Sequence, residues 1–303
     1  MSTLPASSGP EAMMIRAATE ADVPQIGDIY YRQEVEGDPS PPPRHPFAWL
    51  TQTLVTGRMY VAETQDTIVG YSGCIVRGPV AFLTDLFVRR DWQSGAIGKV
   101  LLDAAMPPGD ELIHCTMSST DPRAHALYAR AGMRPQWPNF WLRGMSTELR
   151  ALPETGVRVV ETPPNDPELI AWDARISGRE RPQDFVYWRD ATQAVGLWLV
   201  RDGARIGYAL VQRRSDASIY YPQGFTIGPI GTPPDADSAA CVLATVAWAS
   251  ARTAVFRIAV PGEHPALKPL LDAACKIVYV ETFCSSAAPL FDPQRYVTSG
   301  DLL

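Results

Sequence analysis

The sequence lacks several features that mark particular classes of protein. It has no apolar run near the roughly 18 residues of a membrane span. It has no basic excess, with 27 Lys and Arg against 33 Asp and Glu, which argues against a nucleic-acid or anionic-membrane partner. Its five cysteines show no Cys-x-x-Cys spacing and lie in apolar runs, which predicts buried free thiols. We therefore expect a cytoplasmic protein with no metal ion, no nucleic acid and no membrane partner.

What is present is the composition of a globular protein, at a length that suits two domains. The 303 residues are 46% hydrophobic and 20% charged. Residues 1–12 lack a basic start followed by an apolar core, so we expect a disordered leader and not a secretory signal. The remainder divides into two parts of similar layout, residues 13–148 and 156–290, and a C-terminal tail at 291–303.

A repeated sequence pattern supports the division into two halves. Residues 63–71, which end Ile-Val-Gly-Tyr, align with residues 200–208, which end Arg-Ile-Gly-Tyr. In both halves, short segments of alternating apolar and polar residues are interleaved with amphipathic helical stretches. In the first half, this pattern predicts consecutive antiparallel strands. The pattern predicts an α/β (α+β) fold in which each half is a mixed, mostly antiparallel sheet flanked by helices. A repeat of this length is typical of gene duplication.

The stretch richest in chemical information is residues 85–102, which reads as a strand, a loop and the start of a helix. Small side chains at 94–96 and at 98 let a ligand approach backbone amides that no preceding turn satisfies. The helix dipole favours an anion at the same place. The pattern predicts a pyrophosphate-binding loop, and a plain tight turn stays open as the alternative.

With these residues the sequence resembles the GNAT superfamily of N-acetyltransferases. That superfamily has a Gln/Arg-x-x-Gly-x-Gly/Ala pattern after a strand. Gln93, Ala96 and Gly98 occupy its fixed positions, and Ala96 replaces the middle glycine. Alanine still allows close approach of a ligand to the backbone.

A second motif follows along the chain. Residues 121–133 resemble the family's Asn-x-x-Ala-x-x-x-Tyr-x-x-x-Gly-Phe, with Asp121 for Asn and Met133 for Phe. Two motifs in order are more specific than either alone. The resemblance covers about residues 13–144 and, with the repeat, implies tandem GNAT-like domains.

The resemblance implies acetyl-CoA as co-substrate, held where one strand splays from its neighbour. It also implies that an amine attacks the thioester directly, which needs a neutral amine, a polarised carbonyl and a protonated leaving group. The residues implied for cofactor binding are Leu86, Phe87 and Val88 at the pantetheine, Gln93, Ser94, Gly95, Ala96, Ile97, Gly98 and Lys99 at the pyrophosphate, and Asp121 and Tyr128 from the second motif.

Two side chains are candidates for the proton transfers. Tyr128 is the candidate acid for the leaving thiolate, and its alternative is a core tyrosine on an apolar helix stripe. Asp85 is the candidate base, because an isolated carboxylate among apolar strand residues should have a raised pKa. A solvent-facing position is its alternative. Glu34 and Glu36, after the first helix, could instead bind or deprotonate the acceptor.

The second half lacks an equivalent loop. Residues 227–237 carry prolines, which remove amide donors, and aspartates, which repel phosphate. We expect a GNAT-like domain that no longer binds acyl-CoA, and that either completes the acceptor pocket or stabilises the first half.

The leading hypothesis is an enzyme that transfers an acetyl group from acetyl-CoA to a primary amine on a small molecule or a peptide. The alternative is a non-catalytic acyl-CoA-binding module that serves as a sensor or assembly partner, and the off-pattern Ala96 and Asp121 keep it open. A tandem transferase of the mycothiol-synthase type shares the two-domain plan, but the motifs do not single it out. A homodimer stays open.

Overall fold

The computed structural model describes residues 13–303, except residues 40, 94–95, 110, 214–219, 290 and 301. The predicted leader, residues 1–12, lies outside this described part. The elements of the first half are β1 (Met14–Ala17), α1 (Val23–Glu34), α2 (Ala48–Thr56), β2 (Arg58–Thr64), β3 (Thr67–Arg77), β4 (Val80–Val88), α3 (Ile97–Ala105), β5 (Ile113–Ser118), α4 (Pro122–Arg130) and β6 (Arg134–Met145).

The second half repeats this order and adds a last short strand. Its elements are β7 (Arg158–Thr162), α5 (Pro167–Ser177), α6 (Pro182–Ala191), β8 (Val195–Arg201), β9 (Ala204–Arg213), β10 (Phe225–Gly231), α7 (Ser238–Ser250), β11 (Val255–Pro261), α8 (Leu267–Asp272), β12 (Lys276–Ser285) and β13 (Tyr296–Val297).

Aspartate side chains set where several helices begin. The Asp121 carboxylate accepts a hydrogen bond from the Arg123 amide at 2.8 Å at the start of α4. Asp166 caps α5 and Asp237 caps α7 in the same way. A capping carboxylate satisfies a first-turn amide that has no partner inside the helix. An Asp-Pro pair is typical of a helix start, and both α4 and α5 begin at such a pair.

The thirteen strands of the described chain form one mixed sheet. Its order is β1-β2-β3-β4-β5-β12-β6-β11-β10-β9-β8-β7, and β13 pairs with β10 outside this path. The β4–β5 and β10–β11 pairs are parallel, and the other described pairs are antiparallel. The predicted fold class, a mixed and mostly antiparallel sheet flanked by helices, is confirmed.

The two halves exchange their last strands. Strand β12 of the second half lies between β5 and β6 of the first, and β6 lies between β12 and β11. Equivalent strands therefore follow in the same order from either edge of the sheet, as expected for a duplicated unit. The sequence predicted a sheet for each half. The exchange joins the two into one.

A buried ion pair holds helix α6 against the first half. The Arg77 guanidinium on β3 donates to the Asp184 carboxylate at 2.7 Å, and these side chains are 3% and 0% exposed. Breaking a buried pair leaves an uncompensated charge and typically costs about 3–5 kcal/mol. This contact fixes α6, whose Tyr187 lines the site described below.

The core consists of apolar side chains that pack between the sheet and its helices. All five cysteines lie in it as buried free thiols, as predicted. None of the helices in the described ranges is long and apolar enough to cross a membrane.

Candidate active site

A gap in the sheet opens where β4 and β5 separate. The two strands pair in parallel only as far as Leu83 and Thr116. At Thr84 the β3–β4 pairing shifts register, after which β4 continues along β3 while β5 pairs with β12. The shift is a β-bulge, which bends a strand and re-aims its side chains. The expected splayed strand is confirmed, and Leu86, Phe87 and Val88 lie along its open edge.

The start of α3 follows Val88 and Gln93, which line this gap, a few residues later in the chain. Ala96 is the N-cap and adopts the left-handed conformation, with φ 61° and ψ 3°, and no side chain caps the helix. The amides at such an end attract anions because they lack intrahelical acceptors. A Cβ on Gly98 would meet only Leu127, at 3.7 Å, so the helix surface is open there. Ser94 and Gly95 lie outside the described residues.

Gln93 joins the gap to the second motif. Its amide nitrogen donates to the Val88 carbonyl at 3.0 Å, and its amide oxygen accepts from Arg123 at 2.9 Å. Arg123 also donates to the Asp121 carboxylate, at 2.7 Å. The sequence motifs alone do not single out Arg123. The signal that could have found it is a cation in the first turn of a helix whose cap belongs to the motif.

One cavity of about 790 Å³ joins this gap to the second half of the chain. Its volume lies in the range typical of small-molecule sites. The sequence-predicted residues that line it are Glu34, Asp85, Leu86, Phe87, Val88, Gln93, Asp121 and Tyr128. No group of three or more His, Cys, Asp or Glu side chains suited to a metal ion is found among the described residues.

The two predicted carboxylates of the cavity differ in environment. Asp85 is 5% exposed, and its Oδ1 accepts from the Tyr71 hydroxyl at 3.3 Å. Glu34 faces the cavity from the end of α1. Removal from water raises the pKa of Glu34 to about 7; the Arg257 guanidinium opposes the rise and the Asp85 charge adds to it. Glu36 lies outside the cavity lining and forms an ion pair with Arg90.

Tyr128 reaches the cavity from α4 and is 7% exposed. Burial raises the pKa of its phenol well above the usual range, and the nearby Cys284 and Asp85 add to that rise. The hydroxyl is therefore neutral at physiological pH, and it can donate a proton but not accept one from an amine. The Tyr128 ring also packs in the core. Tyr128 is therefore a core residue whose side chain also lines the cavity.

Aromatic rings from both halves form the opposite wall. The Tyr30 ring meets Phe47, Trp49 and Phe87 edge to face, with centroids 4.9–5.5 Å apart. The other aromatic side chains of the lining are Trp141, Tyr187, Tyr220, Tyr221 and Tyr279. Of these, Tyr187, Tyr220, Tyr221 and Tyr279 belong to the second half.

Two charged side chains in this wall were missed. The Arg257 guanidinium on β11 lies over the rings of Trp141 and Tyr220, 4.2 and 4.4 Å from their centroids. Glu281 on β12 accepts from the Asn139 amide at 2.8 Å. A charged residue inside an otherwise apolar strand is the signal that could have found both.

The equivalent gap in the second half is filled by the chain itself. Strands β10 and β11 pair in parallel only as far as Ile227 and Ile258, and β13 of the predicted tail then pairs with β10. At the start of α7 the Asp237 carboxylate accepts from the Ala240 amide at 3.0 Å. Here the gap is occupied and the helix start is capped by an anion, so neither feature of the first site is repeated.

The first half of the chain matches a known protein family, and the whole chain has a known fold. The family model described as acetyltransferase (GNAT) matches residues 23–133. The fold is similar to that of a putative acetyltransferase from Pyrococcus horikoshii, with a TM-score of 0.66 and 15% identity over 99% of each chain. No match was found among the curated proteins.

Two further solved structures share the fold. A tandem GNAT protein from the clavulanic acid biosynthesis pathway has a TM-score of 0.60 and 14% identity, over 93% of this chain and 99% of that one. A GCN5-related N-acetyltransferase from Sphaerobacter thermophilus has a TM-score of 0.59 and 14% identity, over 94% and 98%. Such low identities show the fold alone. The family match adds to the fold: residues 23–133 match the GNAT acetyltransferase model, which supports acyl transfer as the activity of this part of the chain.

Proposed function

We propose that the chain is an N-acetyltransferase that moves an acetyl group from acetyl-CoA to a primary amine by direct attack. The observation that carries the proposal is the single cavity that joins the β4–β5 gap, with Asp85 and Tyr128, to a wall from the second half. In this proposal residues 13–148 are the acyl-CoA-binding domain. Residues 156–290 are a GNAT-like domain without a cofactor site, which completes the acceptor pocket.

The residues of the first half fit acetyl-CoA. The unpaired edge of β4 offers backbone groups of Leu86, Phe87 and Val88 to the pantetheine amides. The uncapped start of α3 offers amides to the pyrophosphate, and Gly98 leaves its surface open. When bound, acetyl-CoA supplies a thioester whose carbon takes the amine and whose sulfur leaves as the thiol.

The side chains of the cavity divide the proton transfers between them. Asp85 is assigned as the base that takes a proton from the attacking amine, directly or through water, with the Tyr71 hydroxyl holding its carboxylate. Tyr128, neutral because it is buried, is assigned as the acid that protonates the leaving sulfur. Glu34 is assigned to the acceptor, because its carboxylate faces the aromatic wall from α1.

The aromatic wall supports an amine as acceptor. Ring faces attract cations, by about 0.5–2 kcal/mol each. Arg257 covers the rings of Trp141 and Tyr220, so the attraction comes from the other rings and from the carboxylates of the cavity. Orientation of the amine by this wall supplies part of the catalytic effect, since holding two reactants together removes entropy from the barrier.

Release of thiol from acetyl-CoA in the presence of an amine panel tests the proposal. The panel contains monoamines, diamines, amino acids, an aminoglycoside and a lysine peptide. Acetyl-CoA binding is measured in parallel by titration calorimetry. We expect amine-dependent release with at least one class. Binding of acetyl-CoA without release by any amine would support the non-catalytic module instead.

A charge variant with a neutral match controls for the cofactor site. Gly98→Glu places a carboxylate in the first turn of α3, where it favours the helix but repels phosphate. Gly98→Gln has the same size without the charge. We expect the glutamate to weaken acetyl-CoA binding at least tenfold more than the glutamine. Equal affinities would contradict a phosphate site there.

A further inference from the structure

The gap between β4 and β5 has a second open strand edge, on β12. Leu83 of β4 pairs with Thr116 of β5, and Thr116 pairs with Cys284 of β12, so one strand separates β4 from β12 in this row. β5 ends two residues later, and it is parallel to β4 and antiparallel to β12. Residues 84–88 of β4 and residues 276–281 of β12, the β12 edge, therefore border the gap from opposite sides.

The β12 edge has a strand on one side only. Residues 139–143 of β6 pair along its length, whereas β5 pairs with β12 only from Thr282 to Ser285. In the described part of the chain no other strand lies beside it. Amides and carbonyls on such an edge are a template for pairing with a further chain. The proposed binding of pantetheine uses the opposite edge, on β4, and does not involve this one.

The side chains of the β12 edge are apolar and exposed. Residues 277–280 read Ile-Val-Tyr-Val, and Ile277, Val278 and Tyr279 are 44%, 40% and 45% exposed. Residues 283–285, which pair with β5, are buried. Native proteins usually protect a free edge with charged side chains, proline or a covering segment. An uncovered apolar edge is instead typical of a surface that binds another chain.

The β12 edge extends into the candidate active site. Val278, Tyr279 and Glu281 line the cavity that also contains Asp85. A register shift between Ile277 and Tyr279 marks a β-bulge at Val278, and bulges re-aim side chains beside active sites. Glu281 places a carboxylate at the end of the edge next to β5, which favours a bound segment that carries a cationic side chain.

We propose that the acceptor is a lysine side chain of a peptide or protein segment that pairs in extended conformation with the β12 edge. The inference rests on the transfer proposed above and narrows its acceptor. Main-chain hydrogen bonds hold the segment, and Ile277, Val278 and Tyr279 contact its side chains, as in other complexes formed by addition of a strand. The backbone of the segment lies on the β12 side of the gap, and the four-carbon stem of lysine carries the amine across.

The chemical step is the one proposed for any primary amine. The neutral lysine nitrogen forms a bond to the acetyl carbon, and the carbon–sulfur bond breaks. Asp85 takes one proton from the nitrogen, and the sulfur receives the Tyr128 proton. Both side chains then return to their starting states by proton exchange with solvent. The products are an acetylated lysine and CoA as its thiol, and no further reactant is needed.

A matched pair of substrates tests the contribution of the main chain. One is an octapeptide of threonine and valine with a single central lysine, acetylated and amidated at its ends. The other is Nα-acetyl-lysine amide, which presents the same amine. We expect kcat/KM to be at least about tenfold higher for the peptide, the equivalent of one or two hydrogen bonds. Equal values would overturn the inference and leave transfer standing.

A scan of N-methyl groups along the peptide identifies strand pairing. In a strand that pairs on one side, only alternate residues direct their amides to the partner. We therefore expect N-methylation to weaken binding at least about tenfold at every second residue and less than about twofold between them. Binding is followed by fluorescence anisotropy of the labelled peptide with CoA present, so the scan needs no turnover. A scan without this two-residue period would overturn the inference whatever becomes of the transferase proposal.

Ile277→Lys tests the edge from the side of the protein. Ile277 lies outside the cavity lining, and lysine is a residue with which natural edges avoid pairing. Leu271→Lys is the matched control, since Leu271 is 37% exposed on α8 and also lies outside the lining. We expect Ile277→Lys to raise the KM for the peptide at least about fivefold and to leave that for Nα-acetyl-lysine amide unchanged. Leu271→Lys should change neither, and an equal rise for both substrates in Ile277→Lys would contradict the inference.

Sedimentation equilibrium examines the other possible occupant of the edge, a second copy of the chain. If the edge binds peptide, the parent chain and Ile277→Lys have the same oligomeric state. A parent dimer that Ile277→Lys converts to a monomer would assign the edge to self-association and overturn the inference. If neither the peptide nor any other amine is acetylated, the proposed function fails, and the N-methyl scan decides separately whether the edge binds an extended chain.

Discussion

The left-handed backbone of Ala96 gives a prediction for Ala96→Gly. Ala96 has φ 61°, a conformation that costs an L-residue about 1–2 kcal/mol and a glycine almost nothing. Glycine also has more conformational freedom than alanine in the unfolded chain. This stabilises the unfolded state and offsets about 0.4–1 kcal/mol of the strain energy that glycine removes. We therefore expect Ala96→Gly to be neutral or to stabilise the fold by up to about 1 kcal/mol. For an ordinary alanine the same change destabilises.

Ala131 is the matched control for this experiment. It is exposed and ends α4 with φ −83° and ψ 8°, so glycine relieves no strain there. We expect Ala131→Gly to lose about 0.5–1 kcal/mol in urea denaturation. The difference between the two variants, about 1–2 kcal/mol, measures the strain at Ala96, because the unfolded-state terms cancel.

The same variant reports on the cofactor site. Ala96→Gly keeps the amides of the α3 start and removes a methyl group beside them, so acetyl-CoA affinity in titration calorimetry should be equal or higher. The reasoning fails if Ala96→Gly is destabilised as much as Ala131→Gly. It also fails if the glycine weakens acetyl-CoA binding tenfold, since the strained cap would then be an adaptation for the ligand.

Three further predictions follow from the site and the sheet. Tyr128→Phe should lower kcat about 10²-fold and leave the Kd for CoA unchanged, in steady-state rates and calorimetry; equal turnover would make Tyr128 a core residue only. The pKa of Glu34 is about 7 in the fold against 4.5 when unperturbed, so the folded chain binds more protons between these values and loses stability as pH rises from 4.5 to 7. Glu34→Gln should flatten that slope in urea denaturation measured across pH, and an unaltered slope would contradict it. Residues 13–148 alone should give no cooperative unfolding transition by circular dichroism, because β5 and β6 then lack β12 between them; a cooperative fragment that binds CoA would show that the exchange is dispensable.

Local chemistry made much of the fold predictable. The Asp-Pro pairs in the sequence locate the helix starts at Asp121 and Asp166, because a cap depends on neighbours in sequence. Helix α6 was missed, since Phe185, Tyr187 and Trp188 are buried without forming a regular stripe. Strand β13 was missed because two residues carry no periodic signal.

The strand exchange was beyond reach of the sequence for a different reason. Alternation of apolar residues indicates which face of a strand is buried, but it does not name the strand beside it. The two charged side chains of the aromatic wall were missed for the same reason. Arg257 and Glu281 meet at the cavity only because β11 and β12 stand on either side of β6. The residues predicted to bind the cofactor depended less on long-range pairing, because the two motifs that name them are local in sequence.

The exchange of β6 and β12 also determines the stage of synthesis at which the sheet of the first half can be completed. The amide of His114, on β5, is bonded to the Ser286 side chain, 172 residues later in the chain. Until β12 has left the ribosome, the edges of β5 and β6 have no neighbour and are open to pairing with other chains. Pairings this distant in sequence also slow folding, because a long loop must close before they form. The half that carries the acyltransferase motifs is made first, yet it must wait for almost the whole of the second before its own sheet is complete.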